Sequence, residues 1–264
     1  MRGVYQDRRV GPPRITDLVE HARHSGLFLD FDGTLSEIVS TPGEARALPG
    51  LGPVLERLAA EYRTVAVVTG RRTKEVAELV RAPVRFFGLY GLEEAGGPHP
   101  PTATAAAMAE AFPEIERAAG YVPGAWVEPK GTSAAVHYRG TVDAEAARRV
   151  LVERLGRVAR DRGLELLEGK RVIELLAGPR PTKGEVVERV ASAEGLRYVL
   201  VAGDDLADLD AFAAVDRLGA AGVRGLKVGV RSEEAPDRLL READLVVEGP
   251  RGLLALLENL VPSA

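Results

Sequence analysis

Two aspartates spaced by one residue follow an apolar run near the start of the chain. Asp30 and Asp32 end the stretch LFLDFD, and Gly33 and Thr34 come directly after them. A chain normally keeps carboxylates away from buried strands, because removing a charge from water without a partner is costly. The pair alone has two interpretations, as turn formers that end a buried strand or as carboxylates that take part in chemistry, and Gly33 fits the tight turn that a strand end needs.

Three more segments place reactive side chains after apolar runs or at a helix start. They contain Thr69, Gly70 and Arg71, then Lys183, and then Asp204, Asp205 and Asp208. Each segment alone has a simpler interpretation, as a strand-ending turn, a solvated lysine or an acidic helix cap. If their strands are neighbours, however, the carboxylates share one crevice, which is costly unless a cation lies among them. Oxygen ligands, with no cysteine in the chain and no histidine nearby, favour Mg2+ over Zn2+.

The uncharged and basic members of these segments predict a phosphate site. Thr69 and Gly70 offer a hydroxyl and a backbone N–H, and Lys183 brings a positive charge to a helix N-terminus, whose amides attract anions. A metal-bound carboxylate that faces a phosphoryl group can attack phosphorus and form an aspartyl phosphate, which divides one difficult hydrolysis into two easier steps. Together the segments predict phosphoryl chemistry.

Alternating β and α patterns surround these segments and must position them. Short β-rich runs at 27–30, 64–70 and 84–91 alternate with helical patterns at 51–62 and 73–82. The same alternation resumes in the last third of the chain. It is typical of a doubly wound, Rossmann-like α/β fold with a parallel sheet, in which functional groups collect beyond the carboxyl ends of the strands.

A segment with a different sequence pattern interrupts the βα alternation. It begins at the Pro-rich stretch GGPHPPTAT and ends at GPRPT, and between these borders the pattern is α-β-β-α-β-β. We therefore predict a core of residues 1–98 and 181–264 with an inserted smaller α/β domain of residues 99–180.

The composition restricts the partners. The 264-residue chain has a formal net charge of -4 and no basic stripe, which argues against nucleic acid. No apolar run reaches the roughly 18 residues that span a bilayer, and residues 1–26 lack the apolar core of a signal peptide. The absence of cysteine fits a reducing compartment. We expect a cytoplasmic protein that acts on a small molecule, with a monomer as the working hypothesis.

Four motifs in order resemble the signature of the haloacid dehalogenase superfamily of phosphatases. They are DFDGT, VTG, the helix-leading lysine and GDDLAD. The resemblance implies that Asp30 is the nucleophile and that Asp32 first protonates the leaving oxygen and then activates water. With these two, the implied catalytic set includes Thr69 and Lys183.

The resemblance also implies a ligand set. Asp30 and Asp204 would bind Mg2+ through their carboxylates and Asp32 through its backbone carbonyl, while Asp205 and Asp208 would support these ligands. The phosphoryl group would be bound by Thr69, Gly70 and Lys183.

Three further stretches are similar to the trehalose-6-phosphate phosphatases. They are GLYGLE, just before the inserted domain, and WVEPKGTSAAVHYR and GKRVIEL within it. The similarity implies hydrolysis of trehalose 6-phosphate to trehalose and phosphate, a step of trehalose biosynthesis. It also implies that the inserted α/β domain of residues 99–180 is a cap domain, which recognises the substrate and closes over the catalytic core to exclude water. The implied polar partners of the substrate are Glu93, Glu128, Lys130, Arg139 and Glu174. The four that lie in the cap can also be cross-strand ion pairs on a solvated face. Trp126, His137 and Tyr138 are assigned to packing at the sheet surface.

Two alternative functions remain. The same chemistry with a different cap would suit another sugar phosphate, such as sucrose, glucosylglycerol or mannosylglycerate phosphate. A non-catalytic phosphate-binding scaffold on this fold would be expected to lack Asp30 or Asp32, and both are present. The chain departs from the family pattern at Ser36, where proline is common, and at Ala207 and Leu209, where threonine and glutamate are usual.

Overall fold

The computed structural model describes residues 12–39, 41–95, 102–178 and 182–262. The chain divides into two compact units: a core unit, Met1–Gly96 with Thr182–Ala264, and an inserted unit, Gly97–Pro181. The borders predicted from the sequence, at 98/99 and 180/181, lie outside the described residues.

The elements follow the predicted alternation closely. The described helices are α1 Ile15–Glu20, α2 Leu51–Glu61, α3 Thr73–Val80, α4 Thr102–Ala119, α5 Ala144–Arg162, α6 Lys183–Ala193, α7 Asp208–Ala220, α8 Asp237–Glu242 and α9 Gly249–Asn259. The described strands are β1 Ser25–Leu29, β2 Thr64–Val68, β3 Arg85–Gly88, β4 Glu93–Glu94, β5 Trp126–Pro129, β6 Ser133–His137, β7 Glu165–Gly169, β8 Val172–Leu176, β9 Tyr198–Gly203, β10 Arg224–Arg231 and β11 Leu245–Glu248. Across these described residues, none of the helices is both long and apolar enough to cross a membrane.

The core unit contains a seven-stranded sheet with the order β11-β10-β9-β1-β2-β3-β4. All neighbouring strands are parallel except β4, which is antiparallel to β3. Strand β1 lies between β9 and β2, so the sequence order reverses at this point of the sheet. The predicted doubly wound parallel sheet is confirmed, and its switch point is where such folds place their sites.

Helices cover both faces of this sheet because side chains alternate along the buried strands. Leu27 and Leu29 of β1 pack in one cluster with residues of α2 and α9. Phe28, between them, points to the other face and packs in a second cluster with residues of α6 and α7. Strand β1 is thus buried on both sides, which makes it a rigid support for the residues that follow it.

The inserted unit is an antiparallel sheet with the order β5-β6-β8-β7, in the predicted α-β-β-α-β-β pattern. Val136 and Ile173 pack in one cluster with residues of α4 and α5. The register places Trp126 opposite His137, and Ala135 opposite both Glu128 and Glu174. These residues alternate with the helix-facing ones. We call the face that carries Trp126, Glu128, Lys130, His137 and Glu174 the polar face.

Candidate active site

The carboxyl ends of three adjacent strands bring the predicted motifs together. Asp30 follows β1, Thr69 follows β2 and Asp204 follows β9. The backbone N–H of Asp30 donates to Ala202 O at 3.0 Å, which continues the pairing of β1 with β9 to the last residue before the loop. The sequence therefore predicted correctly that these loops share one edge of the sheet.

A buried ion-pair triad forms the centre of this edge. Lys183 Nζ lies 2.6 Å from Asp30 Oδ1 and 2.7 Å from Asp208 Oδ1, and all three side chains are buried. Lys183 is the first residue of α6, and the Thr182 side chain caps that helix by accepting a hydrogen bond from Glu185 N. The alternative of a solvated lysine is thus excluded.

Asp208 organises the loop that carries the second acidic motif. Its Oδ2 accepts hydrogen bonds from the backbone N–H groups of Asp204 at 3.1 Å and Asp205 at 3.0 Å, while its Oδ1 accepts from Lys183. Helix α7 begins at this residue. Because both carboxylate oxygens are engaged by the protein, Asp208 positions its neighbours.

The electrostatics of the triad reflect its burial. Burial raises the pKa of the Asp30 carboxyl well above its usual value, although the Lys183 ammonium opposes that shift. Burial alone would lower the pKa of Lys183, but the charges of Asp208 and Asp30 outweigh it and raise that pKa above its usual value. Lys183 therefore stays charged, and a further cation near Asp30 would favour its ionised form.

The acidic side chains are close enough to share one cation. Among the described residues, one carboxylate oxygen each of Asp30, Asp204 and Asp208 lies within 4.8 Å of the others. Thr34 Oγ1 donates to Asp204 Oδ1 at 3.2 Å and orients that carboxylate. Gly33 has φ +80°, and a Cβ there would lie 2.2 Å from Asp204 Oδ2. An all-oxygen, buried donor set of this kind fits a hard divalent metal.

Arg71 holds the second aspartate of the first motif. Its Nε and Nη2 donate to the two oxygens of Asp32 at 2.7 Å and 2.8 Å, and its Nη1 donates to Glu75. Arg71 is buried, whereas the Asp32 side chain is 44% exposed. Burial would lower the pKa of Arg71, but hydrogen bonding to Asp32 and the charges of Asp32 and Glu75 raise it. The sequence showed Arg71 beside the phosphate motif without showing which carboxylate it binds.

The loop with Thr69 and Gly70 is packed against a strained turn. Thr69 is buried, and its Oγ1 accepts a hydrogen bond from Arg71 N at 3.2 Å, while a hydroxyl that accepts can still donate to a ligand. Leu89 and Tyr90 have φ values of 50° and 60°, which are unusual for residues other than glycine. A Cβ on Gly70 would lie 2.8 Å from the Tyr90 hydroxyl, so a larger residue here would have to displace the Tyr90 ring.

Glu93 has protein partners for both of its carboxylate oxygens. Oε1 accepts from Arg72 Nη2 at 3.1 Å, and Oε2 accepts from the N–H of Thr73 at 3.1 Å and from its hydroxyl at 3.2 Å. The carboxylate therefore binds the first residue of α3, a role the sequence pattern did not predict. Any substrate group at Glu93 has to share it with these partners.

The predicted residues of the inserted unit lie on or beside the polar face. Glu128 Oε2 is 2.9 Å from His137 Nε2, and Lys130 Nζ is 3.8 Å from Glu174 Oε1. Ser133 donates to the same Glu174 oxygen at 2.9 Å. The remaining predicted residue, Arg139, follows β6 in a turn and is partly buried. Cross-strand pairs thus exist here, as the alternative interpretation expected.

The three residues that depart from the family pattern all lie in the core unit. Leu209 is buried in the cluster between the sheet and α7, so its apolar side chain contributes to the core. Ala207 is the residue before α7 and provides no side-chain cap. Ser36 is buried, and its hydroxyl donates to Glu37 O at 3.1 Å.

Comparison with known proteins places the chain in a family. The sequence pattern of the family described as trehalose-phosphatase matches residues 28–239. The chain belongs to the trehalose-phosphatase family. This confirms the resemblance drawn from the motifs, and it assigns the chain to a family of phosphoric monoester hydrolases.

Two curated relatives are longer than this chain. It is 37% identical over 235 residues to the trehalose-phosphate phosphatase of Mycobacterium avium, covering 82% of this chain and 57% of that protein. It is 36% identical over 231 residues to a Mycobacterium tuberculosis protein described as an uncharacterized glycosyl hydrolase, covering 82% of this chain and 17% of that protein. The chain therefore spans less than two thirds of the length of either.

Solved structures show the same fold. The C-terminal domain of trehalose-6-phosphate phosphatase from Candida albicans matches with a TM-score of 0.76 and 21% identity, over 95% of this chain and 97% of that one. A haloacid dehalogenase-like hydrolase from Bacteroides thetaiotaomicron matches with a TM-score of 0.64 and 14% identity, over 90% and 99%. The predicted haloacid dehalogenase-like fold is thus confirmed.

Proposed function

We propose that the chain hydrolyses trehalose 6-phosphate to trehalose and inorganic phosphate. The buried Asp30 carboxylate at the end of the central strand, ion-paired with Lys183, carries this proposal. Burying such a charge is costly, and a carboxylate held by a lysine beside a phosphate-binding loop is suited to nucleophilic attack. Membership of the trehalose-phosphatase family supports trehalose as the leaving alcohol.

The reaction proceeds in two displacements on phosphorus. An oxygen of Asp30 attacks the phosphorus, the bond between phosphorus and the sugar oxygen breaks, and Asp32 gives its proton to that oxygen. Asp32 then accepts a proton from a water molecule, whose oxygen attacks the phosphorus of the aspartyl phosphate. Phosphate leaves and the Asp30 carboxylate is regenerated. In the structure both oxygens of Asp32 accept from Arg71, so in this mechanism Asp32 gives up one of these hydrogen bonds when it carries the proton and regains it after the proton is transferred.

The phosphoryl group is bound by the Thr69 hydroxyl, the Gly70 N–H and the Lys183 ammonium. The triad geometry supports the role of Lys183, because its ammonium is fixed by Asp30 and Asp208 rather than held on a flexible exposed stem. A fixed positive charge stabilises the charge that develops on the transferring group without having to reorganise.

Mg2+ is the proposed cofactor, and the residues fit it. Asp30 and Asp204 would hold it through carboxylates and Asp32 through its backbone carbonyl, with Asp205 and Asp208 supporting the loop. When bound, Mg2+ would neutralise phosphate charge and polarise the phosphoryl group. Adding Mg2+ to protein stripped with EDTA should raise the thermal unfolding temperature, since an ion that binds only the folded state stabilises it.

We further propose that the inserted unit is the cap domain of residues 99–180, which recognises the sugar. Hydroxyl groups need polar partners once water is removed, and the residues offered for this are Glu93 of the core and Glu128, Lys130, Arg139 and Glu174 of the inserted unit. The lack of cysteine supports a cytoplasmic location.

A panel of sugar phosphates tests the proposal. Phosphate release should be fastest with trehalose 6-phosphate and should need Mg2+, while phosphates of sucrose, glucosylglycerol and mannosylglycerate should react slowly. Asp30→Asn should abolish turnover. It should also abolish the acid-stable phosphoryl group that can be trapped on the protein. Asp210→Asn is the control variant and should change neither. Preference for another sugar would overturn the substrate, and absence of hydrolysis from a folded, Mg2+-loaded chain would favour the non-catalytic scaffold.

A further inference from the structure

An exposed tryptophan marks the polar face of the inserted unit. Trp126 is the first residue of β5, and its side chain is 45% exposed. Exposure is notable here because the indole is the largest of the side chains and is mostly apolar. Trp126 is also the single tryptophan of the chain. Tryptophan is enriched at binding surfaces, because its ring is large and apolar while its N–H can donate to a polar partner.

The indole is held in one orientation by its neighbours. Its ring stacks on the His137 imidazole, with centroids 4.1 Å apart and planes at 13°. His137 Nε2 is fixed in turn by Glu128 Oε2 at 2.9 Å. One face of the indole thus rests on a ring that is itself oriented, so a ligand on the outer face would not have to order the side chain.

The side chains around the exposed face of the Trp126 indole indicate which ligand could bind there. The same face carries the carboxylates of Glu128 and Glu174, which can accept from hydroxyl groups, and the ammonium of Lys130, which can donate to them. A pyranose ring has an apolar C–H face and hydroxyls around its edge. It therefore matches a flat apolar indole ring with charged hydrogen-bonding groups beside it.

We propose that Trp126, supported by His137, is a stacking platform for a pyranose ring and determines the sugar specificity of the inserted unit. The proposal rests on the proposed function only in identifying the pyranose ring as part of trehalose 6-phosphate. Packing at the sheet surface explains the inner face of the indole, and the platform explains why the outer face is exposed.

Intrinsic fluorescence of the full chain tests the platform directly, because Trp126 is the single tryptophan. Trehalose should cause a saturable change in emission, and inorganic phosphate or adenosine should cause none. No change with trehalose at saturating concentration would overturn the proposal. A response to trehalose in a chain that hydrolyses no sugar phosphate would support the platform while contradicting the proposed function.

Kinetics provide the second test. Trp126→Ala should raise KM for trehalose 6-phosphate roughly tenfold, which corresponds to about 1.4 kcal/mol, and leave kcat within about twofold. Trp126→Tyr should restore most of the affinity. Tyr121→Ala is the matched control, because Tyr121 is also exposed in this unit but lies under the guanidinium of Arg154 from α5. An unchanged KM in Trp126→Ala, or an equal rise in Tyr121→Ala, would overturn the proposal.

Discussion

Each unit of the chain contains a lysine beside carboxylates, and the two lysines are held differently. In the core unit, Lys183 Nζ is 2.6 Å from Asp30 and 2.7 Å from Asp208, and all three side chains are buried. In the inserted unit, Lys130 Nζ is 3.8 Å from Glu174, whose same oxygen accepts a shorter hydrogen bond from Ser133. The first is a close contact with two anions, and the second is a looser pair beside a neutral hydroxyl.

The difference indicates what each lysine is suited to do. A tightly compensated buried triad keeps its charges fixed, and removing one member leaves the others buried without compensation. A looser pair loses less when one partner turns to a ligand hydroxyl, so it can exchange partners as a sugar binds. We therefore expect substitutions in the triad to affect chemistry and stability together, and substitutions on the polar face to affect mainly substrate affinity.

The largest effect is expected when the triad loses its cation. Lys183→Met should lower kcat roughly 10²–10³-fold, because the proposed mechanism uses this fixed charge to stabilise the transferring phosphoryl group. It should also lower the free energy of unfolding by about 3–5 kcal/mol, since Asp30 and Asp208 remain buried without their partner. Phosphate release and urea denaturation measure the two effects.

Two other lysines test whether this effect belongs to the triad. Lys74→Met changes an exposed lysine in the first turn of α3 and should leave both measurements unchanged. Lys130→Met should raise KM with little loss of stability. If Lys130→Met destabilised the chain as much as Lys183→Met, the contrast between the two lysines would be wrong.

A smaller effect is expected at the residue that organises the acidic loop. Asp208→Asn keeps the shape of the side chain but offers one oxygen where Lys183 and two backbone N–H groups need two. Under the proposed function Asp208 positions a metal ligand, so activity should fall roughly 10–100-fold. Asp210→Asn, two residues further along the same helix, is the control. Equal activity of the two variants would show that Asp208 does not position the site.

The turn after Asp32 gives a prediction that depends on backbone conformation. Gly33→Ala places a Cβ at φ +80° and 2.2 Å from Asp204 Oδ2, so the carboxylate has to move. We expect a loss of about 1–2 kcal/mol in unfolding free energy and about a tenfold increase in the Mg2+ concentration needed for half-maximal activity. Gly219→Ala in α7, where a Cβ meets nothing within 4 Å, should show neither effect. An unchanged Mg2+ requirement in Gly33→Ala would argue against Asp204 as a ligand.

The sequence predicted the elements and the shared edge because both have local signals. An apolar run followed by Asp30 shows a strand end without any knowledge of distant residues, and the same holds for Thr69 and Asp204. Contacts between distant side chains have no such signal. Arg71 meets Asp32 across 39 positions of sequence, and Glu93 reaches α3 only because β4 turns back antiparallel to β3. The stacking of Trp126 on its neighbour likewise depends on the register of β5 with β6.

The smallest effect is expected on the polar face, and it tests the other half of the comparison. Glu174→Gln keeps an oxygen for Ser133 and loses the charge beside Lys130. We expect KM for trehalose 6-phosphate to rise roughly fivefold, about 1 kcal/mol, with kcat and stability nearly unchanged. Glu168→Gln is the matched control, because Glu168 lies on the neighbouring strand β7 and pairs with Arg148 of the covering helix α5. If Glu174 served only its cross-strand pair, the two variants would have the same KM and differ only in stability. A rise in KM confined to Glu174→Gln would instead mean that its carboxylate exchanges a protein partner for a sugar hydroxyl, which the buried triad cannot do.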